Sequence, residues 1–342
     1  MFHISKLQFE IELLDDSAPR GYWGSRLRGG FGDGLRSLLC PKSLATKGET
    51  EPKTGQQHAN DCECEFQKIF KPTQKTLNLT LAGSPMGGSS NLPPPFVIDP
   101  PVFTGYPAKG ARIIFGFVAI GPMCDFIEEC VKAFREFGRL GIERDEGRIR
   151  SHFVLTDVRD QLNYGRSVYL DGKVGAIRRQ DVGETVRDLR ADPAATELSV
   201  WFRTNVQIID KEAKSRNPVD RLKDFDGFWS FASQVAHRTA CLWQVYGDDW
   251  HGQARYGEEK NFLGRASREI ATIEKRLQKK ELWGHSNERE VDKGLHGFVG
   301  TMKFAGDFSP FVHLLAIGEI VHIGSETPSG LGQYSFLLQN VG

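Results

Sequence analysis

Neither sign of charge is in excess: 44 Lys and Arg are balanced by 44 Asp and Glu over 342 residues, and the net charge is zero. A protein that coats nucleic acid by bulk charge is thereby excluded, although a local basic cleft is not, because steering follows the distribution of charge as well as its sum. Cysteine is scarce. Six in a chain of this length do not make the disulfide framework of a small secreted domain. Long apolar runs are missing too: the longest near-apolar stretch, residues 113–124, falls far short of the roughly 20 residues that cross a bilayer. Met1-Phe2-His3-Ile4-Ser5-Lys6 passes directly into a strand pattern without a leader-like stretch, so a cytoplasmic location with no membrane partner is expected.

What is present is patterning. With 39% hydrophobic residues the chain has apolar surface for real cores, and two domains of roughly 150 residues are the expectation. Residues 4–14 alternate apolar and polar as a half-buried strand does, and in residues 24–39 Leu27, Phe31, Leu35 and Leu38 recur at helical spacing. Gly29, Gly30, Gly32 and Gly34 each cost that helix about 1 kcal/mol relative to alanine. Close approach of another backbone, of protein or RNA, is the usual compensation. Residues 76–81 alternate as a strand, 110–121 read as a buried strand, 125–137 as an amphipathic helix with Phe126, Ile127, Val131 and Phe134 inward, and 153–158 as a strand.

That order, β-α-β-β-α-β, is the ferredoxin-like unit, whose open antiparallel sheet also serves as the RNA-recognition fold. The second half repeats it: a strand at 198–209, a helix over 221–246, a strand at 297–305, a short helix with Pro310 in its first turn and Gly318 as its stop, and a last strand from Tyr334. The expected fold class is therefore α+β, with two tandem ferredoxin-like (RRM-like) domains at residues 1–160 and 196–342. Residues 41–74 form an insertion in the first, and 161–195 a linker or long hairpin. An additional helix over residues 261–280 bears Arg265, Arg268, Lys275, Arg276, Lys279 and Lys280, as either a solvated charged face or a flank that touches RNA.

The densest motif is the glycine-rich loop at residues 322–332, where Gly324, Gly330 and Gly332 are interleaved with Ser325, Thr327 and Ser329 after His322. Backbone N–H groups in such a loop can approach an anion closely because no Cβ obstructs them, so a phosphate backbone is the natural ligand and a tight turn the plain alternative. Three cysteines, Cys40, Cys62 and Cys64, bracket the insertion with His58 nearby. Together they are a candidate set of four ligands for a structural zinc, with reduced cysteines in a loop as the plain alternative, and the spacing departs from a Cys-x2-Cys knuckle.

The string from Gly297-Phe298-Val299-Gly300 through His322-Ile323-Gly324-Ser325 and Gly330-Leu331-Gly332 resembles the C-terminal signature of the CRISPR-associated endoribonucleases that process repeat RNA, a branch of the RAMP superfamily. Leu27-Arg28-Gly29-Gly30-Phe31 through Leu39-Cys40 is similar to that family's first helix, and Cys64-Glu65-Phe66 through Pro72 to its next step. Phe137-Gly138-Arg139-Leu140-Gly141 resembles its second-helix exit, so the likeness runs along most of the chain in order.

The resemblance implies metal-independent cleavage of CRISPR repeat RNA by attack of a ribose 2′-hydroxyl on the adjacent phosphate, leaving a 2′,3′-cyclic phosphate. No cofactor is implied for the catalysis. Repeat RNA or crRNA is the implied partner, with other CRISPR effector subunits beside it. The reaction needs a base, a cation for the phosphorane and an acid for the leaving oxygen. Relatives often carry a histidine in or just after the first helix, but no histidine lies between His3 and His58 here. Tyr22, Arg26, Arg28 and Arg36 occupy that region, and an arginine clamps phosphate without acting easily as a base. The expectation is an arginine-centred site with Tyr22 as proton donor and His322 as the alternative base. A RAMP subunit that binds crRNA without cutting it is the competing reading. A metal-dependent nuclease finds no support in clustered carboxylates or His-Asp pairs along the sequence.

Overall fold

The computed structural model describes residues 1–16, 22–40, 63–81, 83, 85–87, 89–101, 107–143, 150–189, 195–209, 218–248, 253–286 and 291–340. The first sheet is built from β1 (His3–Leu13), β2 (Phe96–Asp99), β3 (Arg112–Ile120) and β4 (Phe153–Asp160), in the order β2-β3-β1-β4 with every pairing antiparallel. The alternation along β1 sends Leu7, Phe9, Ile11 and Leu13 to one face, where α1 (Trp23–Leu39) and α3 (Ile127–Leu140) cover them. Phe9, Phe31, Phe115, Phe117 and Phe134 meet ring to ring at the centre of this core. The short helix α2 (Glu65–Phe70) adds Phe66, Ile69 and Phe70 to its edge.

α1 tolerates its glycines because α3 lies against it. A Cβ on Gly34 would collide with the backbone of Ala133, and one on Gly30 with the ring of Phe137. The close backbone approach expected from the glycine cost is therefore helix on helix.

The second sheet uses β5 (Glu197–Val206), β6 (Ala271–Lys280), β7 (Gly297–Ala305) and β8 (Tyr334–Gln339) in the order β6-β7-β5-β8, again antiparallel throughout. One face is covered by α4 (Phe228–Tyr246) and α6 (Val312–Val321), with Phe202, Phe225, Phe228, Phe231, Phe304, Phe311 and Tyr334 in the core. Both units thus have the strand order and helix placement of a ferredoxin-like fold, and the chain is α+β with two of them in tandem.

The helices α4 and α6 are buried on their second face as well. Leu242, Tyr246, Ala316, Ile317 and Val321 pack on Phe2, Ile4, Val97, Val118 and Ile120 from the far side of the first sheet. The layers are therefore α1/α3, first sheet, α4/α6, second sheet.

Several elements differ from the sequence expectation. Residues 76–81 form turns and coil, and the fourth strand of the first sheet is Phe96–Asp99, a short apolar run behind three prolines. Residues 161–189 carry two short strands that extend the first sheet, Arg166–Ser167 on β4 and Gln180–Asp181 on β1. The basic helix at 261–280 is instead the end of α5 (Gln253–Ala266), a short turn and the edge strand β6. Because β6 exposes nearly all its residues on both faces, its side chains show no strand alternation. Gly318 does not stop α6; a Cβ there would strike the Tyr334 hydroxyl and Val235, so this glycine lets strand and helix close on the helix interior.

Candidate functional site

The glycine-rich loop crosses from α6 to β8 and lies on the first domain. The turn Thr327–Ser329 packs against β2 and the start of α1. A Cβ on Gly330 would strike the Ile98 carbonyl, one on Gly24 of α1 the Ser329 carbonyl, and one on Gly332, at φ +74°, the carbonyl of Ile323. Glycine is required at 332 twice over, by its left-handed backbone and by the lack of room.

The N–H groups of this loop are largely committed inside the protein. Ser325 donates to Gln207 (2.9 Å), Gly330 to Thr327 (2.9 Å), Gly332 to Asn205 (2.9 Å) and Ile323 to Gly332 (3.1 Å). Thr327, Ser329, Gly330 and Gly332 are buried, while Gly324 and Ser325 are half-buried. The expectation of an anion cradle is corrected accordingly: Gly330 lets the two domains approach through their backbones, Gly324 and Gly332 let the loop fold closely on its own domain, and the Gly324–Glu326 stretch keeps a solvent-facing surface.

His322 lies at the C-cap of α6 with φ +57° and its ring fully buried. Nδ1 donates to the Leu331 carbonyl at 3.2 Å, and Nε2 stands 2.8 Å from Asp99 Oδ1 at the end of β2. The second contact is close in distance but poorly directed, and it functions as an ion pair more than as a linear hydrogen bond. Both ring nitrogens face oxygen atoms of the protein. Burial acts to raise the Asp99 carboxyl, but the bond and charge of His322, with Lys6, outweigh it and hold Asp99 below the usual carboxylate range. A ring sealed in this way presents no nitrogen to a substrate. The alternative base of the sequence reading is placed as an interdomain brace.

The buried guanidinium of Arg238 in α4 supports the same corner by donating to the Val321 carbonyl at 3.4 Å, and burial lowers it to about 10. Neither Asp99 nor Arg238 stands out in the sequence; the only cue for Asp99 is an acid ending an apolar run before Pro100 and Pro101.

Tyr22 caps the N-terminus of α1 and turns its hydroxyl, buried, toward this corner. Burial first, and the Asp99 carboxylate second, push the phenol far above its ordinary value. It therefore holds its proton tightly, which disfavours the role of acid. Arg28 lies over the Phe70 ring at 4.8 Å and Arg36 over Phe66 at 5.1 Å. The two rings are stacked at 5.3 Å, so both guanidinia are engaged on the same aromatic pair of α2. Arg26 is half-buried on α1.

Arg265 and Arg268 are exposed where α5 meets β6. They lie at the Glu197–Ala305 end of the second sheet, whereas the glycine-rich loop enters at the Phe202–Tyr334 end, about 17 Å away along β5. The groups at the loop's end are instead exposed Lys279 and Lys280 and Trp283, the last 57% exposed. Trp283 opens the hairpin Trp283–Ser286/Val291–Gly294, which reaches α1 where Gly284 approaches Ser25. Of the proposed zinc ligands, Cys40 caps the C-terminus of α1 and Cys64 the N-terminus of α2, while His58 and Cys62 lie outside the described residues.

Two ferredoxin-like units in tandem, brought together through a glycine-rich loop, are the class of fold this chain has. Residues 2–182, more than half the chain, match the family described as the AF_1859 N-terminal domain, and residues 212–334 match the CRISPR-associated endoribonuclease Cas6. The chain belongs to the first of these families, and its second unit carries the Cas6 match. The product complex of a Thermus thermophilus Cas6 has the same fold at 14% identity and a TM-score of 0.54, covering 98% of this chain and all of that one. A partial Cas6-RT-Cas1–Cas2 complex matches at 11% identity and a TM-score of 0.52, covering 99% of this chain and 46% of that one. No curated protein matches the sequence. Among the described residues no helix is long and apolar enough to cross a membrane.

Proposed function

We propose that this chain processes CRISPR repeat RNA, cutting it without a metal by attack of a 2′-hydroxyl on the neighbouring phosphate to give a 2′,3′-cyclic phosphate and a free 5′-hydroxyl. The observation that carries this reading is the Cas6 match over residues 212–334, which coincides with the second ferredoxin-like unit and its glycine-rich loop. RNA is taken at the loop end of the interdomain seam, where Lys279, Lys280 and Trp283 offer charge and a stacking face and the hairpin that Trp283 opens meets α1 at Ser25. A structural zinc at Cys40, Cys62, Cys64 and His58 belongs to the same reading, and elemental analysis of the purified chain tests it.

The test of function is incubation with labelled repeat RNA in EDTA, with and without a 2′-deoxy substitution at the cut site. Cleavage that the deoxy substitution abolishes is the expected result, and cleavage that needs added metal would overturn the mechanism. The burial of His322, with no histidine in α1, favours a second reading: a RAMP subunit that holds crRNA within an effector assembly and leaves cutting to another. Tight binding without cleavage in the same assay would select it.

A further inference from the structure

A second histidine–carboxylate pair, remote in sequence and belonging only to the first domain, has the geometry of a proton-transfer group. His152 sits just before β4, and its Nδ1 is 3.0 Å from Asp15 Oδ2 just beyond β1. The same oxygen accepts the backbone N–H of His152 at 2.6 Å, so one carboxylate fixes both the chain and the ring. With the Nδ1 proton directed at Asp15, the lone pair of the neutral ring lies on Nε2, the nitrogen a general base uses.

Nε2 points beside Gly141, the C-cap of α3 at φ +80°, where a Cβ would come within 3.2 Å of it. A side chain at that glycine would crowd the nitrogen. The pair is 45% and 35% exposed, and Arg150, two residues along on the same side, is exposed with its guanidinium on the Leu140 carbonyl at 3.2 Å. A base, the carboxylate that orients it and a cation for developing phosphate charge therefore share one end of the first sheet.

The other histidines whose side chains are described do not offer this. His322 and His296 are fully buried, His313 spends Nε2 on the Leu189 carbonyl at 2.9 Å, and the His3 ring is 3.7 Å from its carboxylate. His237 is exposed, and its neighbour is the Cys241 thiol.

We infer that His152, oriented by Asp15, is the general base of this chain, supplying what the first helix lacks. The inference rests on the endoribonuclease reading. Nε2 takes the proton of the 2′-hydroxyl, the freed oxygen forms its bond to phosphorus, the bond from phosphorus to the 5′-oxygen breaks, and the leaving oxygen takes a proton from water. Arg150 faces the phosphate charge that builds in that step.

The test uses the full chain and labelled repeat RNA in EDTA under single-turnover conditions. His152→Ala is expected to lower the cleavage rate constant about 100-fold or more. Added imidazole is expected to restore part of it, a rescue that a merely structural histidine does not give. Asp15→Asn, which keeps the shape but turns the ring differently, is expected to lose less. His152→Gln guards against misfolding, since its amide preserves a bond to Asp15 while providing no base. A wild-type rate in folded His152→Ala or His152→Gln would overturn the assignment and leave the endoribonuclease reading standing, whereas failure of the unmodified chain to cut would remove both.

Discussion

His322 and Asp99 meet at 2.8 Å with the ring fully buried, while His152 and Asp15 meet at 3.0 Å with nearly half of the histidine exposed. The residue types are the same and the distances nearly so, and burial assigns them opposite work. The first pair joins the end of α6 to the end of β2 across two domains, with the ring fully buried and the facing Asp99 Oδ1 sealed from water, so each group stabilises the other by charge. The second joins neighbouring strands of one domain, keeps nearly half of its ring exposed and contributes little to the fold.

The largest effect expected from breaking this comparison is on stability. His322→Ala opens a cavity and leaves the half-buried Asp99 carboxylate without its partner, and should cost about 2–4 kcal/mol in denaturant unfolding. A loss under about 1 kcal/mol would mean that the apolar seam alone holds the domains. Next comes Gly332→Ala, which forces a Cβ into the space that the Ile323 carbonyl already fills; about 1–3 kcal/mol is expected from melting curves.

Acid sharpens the contrast. The Asp99 carboxyl is held below its ordinary value, so the stability it contributes is fully present above the unfolded carboxylate value of about 3.9 and is lost as pH falls through the lower folded value. The stability gap between the unmodified chain and Asp99→Asn should therefore close on acidification through that range. A gap that widened toward low pH would contradict the ion pair. The smallest effect belongs to the open pair: His152→Ala should move the unfolding free energy by about 1 kcal/mol or less, whatever it does to RNA cleavage.

Legibility in the sequence followed burial. β1 alternates because one of its faces is core, and α1 and α3 show their periodicity for the same reason, so both ferredoxin-like units could be laid out from pattern. β6 could not, since a strand exposed on both faces has no reason to alternate, and its lysines and arginines read equally well as a helix. Residues 76–81 alternate without being a strand, because no neighbour pairs with them among the described residues. At the candidate site the glycines were visible but their purpose was not. Gly330 answers to the Ile98 carbonyl in the other domain and Gly332 to the nearby carbonyl of Ile323, and sequence spacing does not tell a protein backbone from a phosphate. His322 drew notice by its neighbours, whereas His152 drew none, since its aspartate is 137 positions away.

α4 and α6 lend one face to each sheet, and this has a consequence for how such a protein can change over generations. A gene fragment that ended after the first unit would leave Phe2, Ile4, Val97, Val118 and Ile120 as an uncovered oily face prone to self-association. The two units cannot be shuffled between genes as interchangeable parts. They are inherited as one piece, and an insertion is tolerated in the connecting loops far more readily than a cut between the halves.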